Sequence, residues 1–278
     1  MSVELETKKE VKELWTTEPT AIRRFQNKTS YLFIDESGDY SKKSFDKIKL
    51  YFSDGVEVTK NFELFSMVGI LIRGKELKSK SVELRKIKRK YFPDISYSED
   101  ELCFHSREMY NQNGIVNTLE DKESFNEEWD KFIIDTDFKV FASYINKKDY
   151  YIQGKYIENK SNNVFEKTFI DLLDSINDNS KIKNIVVVYE SINEKKDRKL
   201  LNLFNGYVKN GRWTKFKGIY FMPKRVNIRG RNRAIYGFEL ADALQYPIQE
   251  YALAKNYHKI KNKFYFYPYH ENKTLNSI

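Results

Sequence analysis

Apolar residues along this chain fall into short unbroken runs, separated by segments in which they recur every three or four positions. The runs predict buried strands and the recurrences predict amphipathic helices, because side chains alternate across a strand but return to one helix face after three or four residues. Tyr31-Leu32-Phe33-Ile34 is the first run, and it ends at Asp35-Glu36-Ser37-Gly38-Asp39, where glycine and acids signal a turn. A second run over 65–72 is bounded by Arg73-Gly74, and with the polar, Lys-rich stretch 40–61 between them the two predict a long hairpin. A helix over 75–92 halted by Pro93, a helix near 121–135 and a strand over 138–145 come next. Phe165, Phe169, Leu172, Leu173 and Ile176 then mark a crossover helix before the run Ile185-Val186-Val187-Val188-Tyr189, which Glu190 terminates. Leu200, Leu201, Phe204 and Val208 mark another helix, 216–222 another strand, and 236–254 a last helix behind the basic segment Arg229-Gly230-Arg231-Asn232-Arg233.

Three opening strands followed by alternating helices and strands predict an α/β fold. Parallel strands require long crossover connections, so the sheet should be mixed, with helices on both faces. One decorated domain over 29–255 is expected, with insertions near 40–61 and 75–135. Residues 1–28 read as a helical N-terminal arm: Val11, Leu14 and Trp15 share a face, Pro19 interrupts, and Ile22 and Phe25 resume the spacing. Such an arm suits packing or self-association into a homo-oligomer. Residues 256–278 form a C-terminal aromatic tail whose Phe264-Tyr265-Phe266-Tyr267-Pro268-Tyr269 either stacks on bases or, the preferred reading, buries its rings against the domain.

Composition narrows the chemistry. The 278 residues contain one cysteine, Cys103, which excludes an intrachain disulfide and a Cys-based zinc site and suits a reducing cytoplasm. His105, His258 and His270 are the only histidines and none pair at a metal-ligand spacing, so a metal must be held mainly by oxygen. No apolar stretch is long enough for a secretory signal or a membrane span, which predicts a cytoplasmic protein with no membrane partner. Lys and Arg outnumber Asp and Glu by 49 to 40, a formal charge of +9. That excess draws in polyanions, or it reflects nucleotide bias in the encoding genome. The Lys78, Lys80, Arg85, Lys86, Lys88, Arg89 and Lys90 run is either a solvated helix face or a phosphate contact.

Three acids stand out by position. Asp35 and Glu190 each end a strand, where polar site residues gather in α/β sheets. Asp242 lies in the otherwise apolar Leu240-Ala241-Asp242-Ala243-Leu244 and needs a partner. Glu239 shares its helix face and Tyr246 can lie above it. A metal would satisfy this acidic face; so would an arginine such as Arg231 or Arg233. All-oxygen donors suit Mg²⁺ or Mn²⁺, and two such ions bridged by Asp35 would suit phosphodiester hydrolysis. Glu36 follows Asp35 but should point to the opposite face unless the strand ends there. His105 and Glu108 share a face if their segment is helical, as an acid/base pair, a further ligand or a structural hydrogen bond. Arg229, Arg231 and Arg233 are candidate phosphate ligands, with surface charge as the bland alternative.

Ile34-Asp35-Glu36-Ser37-Gly38, Phe104-His105-Ser106, Val188-Tyr189-Glu190 and Leu240-Ala241-Asp242-Ala243-Leu244 together resemble the bacterial family called domain of unknown function 3800, over roughly residues 30–255. The resemblance implies a ribonuclease-H-like fold with Asp35, Glu190 and Asp242 as catalytic acids, and a link to phage defence or mobile elements. The expected activity is Mg²⁺-dependent (or Mn²⁺-dependent) cleavage of DNA or RNA. The rival is a catalytically inactive nucleic-acid-binding or assembly protein on the same fold, whose basic surface gives sequence-independent affinity. A small-phosphate enzyme is a third class, unsupported by any Walker-type loop.

Overall fold

The first apolar run folds as β1 (Ser30–Ser37), buried on both faces. Tyr31 and Phe33 enter one core while Leu32 and Ile34 enter the other, as the side chains of a central strand must. The computed structural model describes residues 25–54, 64–96, 101–155, 162–179, 181–228, 230–254 and 264–268. Most of the expected N-terminal arm, its role in self-association, and Arg229 lie outside these residues.

β1 pairs antiparallel with β2 (Leu64–Arg73), which pairs antiparallel with β3 (Phe138–Asn146). On its other side β1 runs parallel to β4 (Ile185–Glu190), and β4 parallel to β5 (Phe216–Met222). The result is a mixed five-strand sheet in the order β3-β2-β1-β4-β5. The long hairpin and the crossover helices follow from that pairing, because only the parallel neighbours demand a return across the sheet. Gly38 follows β1 at φ +95°, and a Cβ there would stand 2.3 Å from the Leu64 carbonyl oxygen, so the close approach of this turn to the start of β2 requires glycine.

Helices cover both faces. On one lie α2 (Gly74–Tyr91), α5 (Lys122–Asp135) and α9 (Tyr236–Ala254), which bury Leu84, Ile87, Trp129, Phe132, Leu240 and Leu244 with Phe33 and Val188. On the other lie α1 (Lys42–Asp54), α7 (Asn162–Asn179) and α8 (Glu194–Lys209), with Phe45, Phe169, Leu172 and Phe204 packed around Leu32 and Tyr189. Local sequence sets their starts. The Asp121 carboxylate accepts from Ser124 N to cap α5, and the Asn193 side chain accepts from Lys196 N to cap α8.

Shorter elements fill the connections: α3 (Pro93–Ser96), α4 (Ser106–Tyr110) and α6 (Lys147–Ile152). Three departures from the sequence reading stand out. The polar stretch expected as an insertion contains α1, whose Phe45 and Ile48 are buried. The basic segment before α9 belongs to a separate hairpin of β6 (Arg225–Ile228) and β7 (Arg231–Ala234). Within the expected aromatic tail, β8 (Phe264–Pro268) pairs parallel to β3 and lengthens the sheet at that edge. Among the described residues no helix is long and apolar enough to cross a membrane.

Candidate functional site

Asp35 and Glu190 meet because their strands do. Ile34 is level with Tyr189 in the parallel β1–β4 register, so the next residue on each strand stands beside the other at the carboxyl ends. Asp35 shares the side of β1 that carries Phe33, and Glu190 the side of β4 that carries Val188, the face that α9 covers. Past Glu190, the chain turns under the control of Asp197, which accepts from Ser191 Oγ at 2.6 Å and from Ile192 N at 3.1 Å.

α9 brings the third acid. Its close seat on β1 depends on Gly237, where a Cβ would fall 2.2 Å from the Phe33 ring. Gln245 fastens the helix two turns later: its Nε2 donates to the Asp35 carbonyl at 2.8 Å, and its Oε1 accepts from Ser66 Oγ at 3.3 Å. Between those two fixings Asp242 faces the strand ends.

The three carboxylates converge on one cation, the ammonium of Lys224. Its Nζ lies 2.7 Å from Asp242 Oδ2, 3.1 Å from Glu190 Oε2 and 3.5 Å from Asp35 Oδ2. Asp242 has further partners: His105 Nδ1 at 2.5 Å from Oδ2, and Ser106 N donating to Oδ1 at 3.0 Å. Ser106 Oγ also donates to the Asp242 carbonyl, which ties the start of α4 to α9. An ionised Asp242 requires the hydrogen-bonded proton to sit on His105 Nδ1, which turns Nε2 away from the carboxylate.

Burial and charge divide the acids. Burial would raise Asp242, but the hydrogen bond with His105 and the Lys224 ammonium hold its carboxyl below the usual range. Asp35 is pushed well above that range by burial, which the Lys224 charge opposes and the neighbouring Asp242, Glu190 and Glu36 reinforce. Burial lowers Lys224, yet Asp35, Asp242 and Glu190 together raise it above the ordinary lysine value, so it is charged. The site is open on one side: the Glu190, His105 and Lys224 side chains keep 28%, 29% and 20% of their surface, against 6% for Asp35.

Several expected members stand apart. β1 continues to Ser37, so Glu36 turns to the opposite face and accepts from Tyr189 Oη at 2.6 Å; burial raises its carboxyl. Glu239 shares α9 with Asp242 but is committed elsewhere. Its Oε1 accepts from Lys88 Nζ at 2.5 Å and from Phe104 N at 2.9 Å, which corrects its expected role as a metal ligand. Lys88, read as surface charge, is buried in that pair and donates to Leu102 O at 2.6 Å. Glu108 contacts Arg107 Nε at 3.1 Å and accepts from Ile115 N, not joining His105 at Asp242. The arginines offered as partners of Asp242 do not contact it: Arg233 faces the buried Glu101 at 3.7 Å, and Arg231 lines a cavity of about 600 Å³ with Lys78, Arg85 and Arg233. Tyr246 stacks on Tyr110 with ring centroids 5.2 Å apart.

Lys224, Ser106 and Gln245 are the residues that the sequence reading missed. Lys224 had a usable signal: it follows β5 by two residues, and the parallel β5 ends at the same rim as β4. Ser106 stands in the Phe104-His105-Ser106 segment of the resemblance, but its bond to Asp242 has no sequence signal, and Gln245 carries no pattern of its own.

Asp35, Glu190 and Asp242 fit a hard divalent cation in donor chemistry and in their convergence on a single positive charge. Among the described residues no three acidic, histidine or cysteine side chains are arranged to hold a metal as they stand. The carboxylates are spaced around an ammonium instead. No family profile, curated protein or solved structure matches this chain.

Proposed function

We propose that the chain is a divalent-metal-dependent nuclease that hydrolyses phosphodiester bonds of DNA or RNA on a ribonuclease-H-like sheet. One observation carries the reading: two parallel strand ends and one helix deliver Asp35, Glu190 and Asp242 to a single cationic point that is partly open to solvent. Asp35, Glu190 and Asp242 would hold Mg²⁺ or Mn²⁺, which when bound supplies Lewis-acid activation of water and neutralises charge on the phosphate.

The chain's own groups supply the rest. Ser106 N and His105 Nδ1 fix the Asp242 carboxylate, and Gln245 fixes the backbone of Asp35. His105, with Nδ1 engaged by Asp242, presents Nε2 as a group able to take up a proton at the exposed edge of the site. Lys78, Arg85 and Arg231 supply positive charge for the flanking phosphates in a chain of net charge +9. The resemblance of Ile34-Asp35-Glu36-Ser37-Gly38 and its companion segments to domain of unknown function 3800 supports the same reading.

Cleavage of labelled single- and double-stranded DNA and RNA in Mg²⁺, Mn²⁺ or EDTA is the test. Metal-dependent cleavage that Asp35→Asn and Asp242→Asn both abolish, in folded protein, is the expected result. A second reading has its own support: Lys224 already supplies a counter-charge to the carboxylates, as a binding or assembly protein with no metal would require. Nucleic-acid binding without cleavage in either metal selects it.

A further inference from the structure

We propose that Lys224 is a tethered counter-cation that competes with the divalent ion for Asp35, Glu190 and Asp242, so that ammonium and ion hold the site in turn. This rests on the metal reading above and adds to it the group that an incoming ion must displace.

The geometry leaves no room for both. Lys224 Nζ touches an oxygen of all three acids, within 2.7 to 3.5 Å. A divalent ion bonded to the same oxygens at about 2.0–2.1 Å would stand within about 4 Å of that nitrogen, where like charges repel. Among the described residues the acids are not arranged to hold a metal as they stand, so they must also move to take one. The ion therefore enters only when the ammonium leaves and the acids close inward.

The anchorage of Lys224 makes that exchange mechanically simple. Its backbone is fixed, since its carbonyl accepts from Ile235 N at 2.9 Å at the entrance to α9. Its head, among the described residues, is held by the three acids alone, retains 20% of its side-chain surface and ends a flexible four-carbon stem. Rotation of that stem carries the charge to the open rim beside His105 and Glu190 without moving β5 or α9. A lysine that only stabilises the fold would have no reason to keep its head at the solvent edge of three candidate ligands.

Titration of the metal-stripped full-length chain with Mn²⁺, with free ion followed by electron paramagnetic resonance and no nucleic acid present, tests the competition. Lys224→Met and Lys224→Gln remove the charge while keeping much of the stem's bulk, and both should bind Mn²⁺ roughly ten-fold or more tightly than the wild type. Mn²⁺ should also raise their thermal midpoints by more than it raises the wild type's. Equal or weaker affinity in both variants, with the wild type itself binding Mn²⁺, overturns the competition and leaves the metal site standing. Absence of Mn²⁺ binding in all three proteins overturns the metal site and the competition together. Variants that unfold without the ion should refold on adding it; if they stay unfolded in millimolar Mn²⁺, the ion does not stand in for the ammonium and the proposal fails.

Discussion

Replacing Lys88 by methionine removes the buried ammonium from a pair of buried acids, Glu239 and Glu101, directly behind the site. Lys88 keeps 1% of its side-chain surface, Glu239 3% and Glu101 5%; the ammonium lies 2.5 Å from Glu239 Oε1 and 3.9 Å from Glu101 Oε1. In the variant, Glu239 retains only Phe104 N as a donor and Glu101 is left with Arg233 at 3.7 Å. Breaking a buried ion pair from one side costs about 3–5 kcal/mol, because the surviving charge remains desolvated. For a chain of this size each kcal/mol lowers the thermal midpoint by about 2 °C, so a fall of roughly 6–10 °C is expected. Urea denaturation should show a lower midpoint at unchanged slope, the signature of lost stability without a change in the surface exposed. The double variant Lys88→Met/Glu239→Met replaces the pair with apolar volume and should be more stable than Lys88→Met alone, with a coupling of about 1–3 kcal/mol. A loss below about 1 kcal/mol in Lys88→Met, or strict additivity in the double variant, would refute the reasoning.

Asp35→Asn and Asp242→Asn should shift stability in opposite directions in EDTA. Asp35 is raised in the folded chain, so its ionisation costs stability above the unfolded value of about 3.9. Its amide variant should therefore be the more stable protein at pH 7, by a margin that closes as the pH falls to 4. Asp242 is depressed, so the stability it supplies is complete above about pH 4 and is lost only as the pH falls further. Asp242→Asn should consequently destabilise at pH 7, and urea midpoints from pH 4 to 8 that move together would contradict both assignments. Gly237→Ala places a methyl group against the Phe33 ring and should cost about 1–3 kcal/mol, as overpacking does. Since the same contact seats α9, its Mn²⁺ affinity should fall as well, and unchanged binding would show that the helix adjusts freely. Removing Lys78, Arg85 and Arg231 together should flatten the log–log salt dependence of polyanion binding by about 0.7–0.9 per charge lost. Mn²⁺ binding should survive that triple substitution, and an unaltered slope would remove the cavity from the nucleic-acid path.

Strands and long helices were legible because burial writes a period into the chain. Tyr31-Leu32-Phe33-Ile34 and Ile185-Val186-Val187-Val188-Tyr189 had to be buried on both sides, and the 216–222 and 236–254 elements occur as Phe216–Met222 and Tyr236–Ala254. What escaped was structure with little period to show. α1 buries Phe45 and Ile48 within a stretch dominated by lysine and other polar residues. The β6–β7 hairpin carries its register in four-residue strands, too short for alternation to stand out. The turn after β1 was readable at Gly38, although the sequence alone left open whether it was more than an ordinary strand end.

The candidate site divides on a different line. Asp35 and Glu190 could be found because a strand-end position is a local property, and Asp242 because an acid among alanines and leucines has to be answered by something. Which group answers is a property of topology. Arg231 and Arg233 were nearer to Asp242 in sequence than His105, yet the hairpin carries them away toward Glu101 and the cavity beside α2. The return of the chain through α4 brings His105 and Ser106 to Asp242 across more than 130 residues. The same logic exposes the omission of Lys224. The carboxyl ends of parallel strands gather polar residues of either charge, and β5, parallel to β4, ends two residues before this lysine. Three acids brought together beneath a helix must have a cation, and the strand beside them was the place to look for it. Residue type alone singles out the acids and passes over the lysine that occupies the position between them, because the charge balance of the rim is set by topology and not by the acid motif.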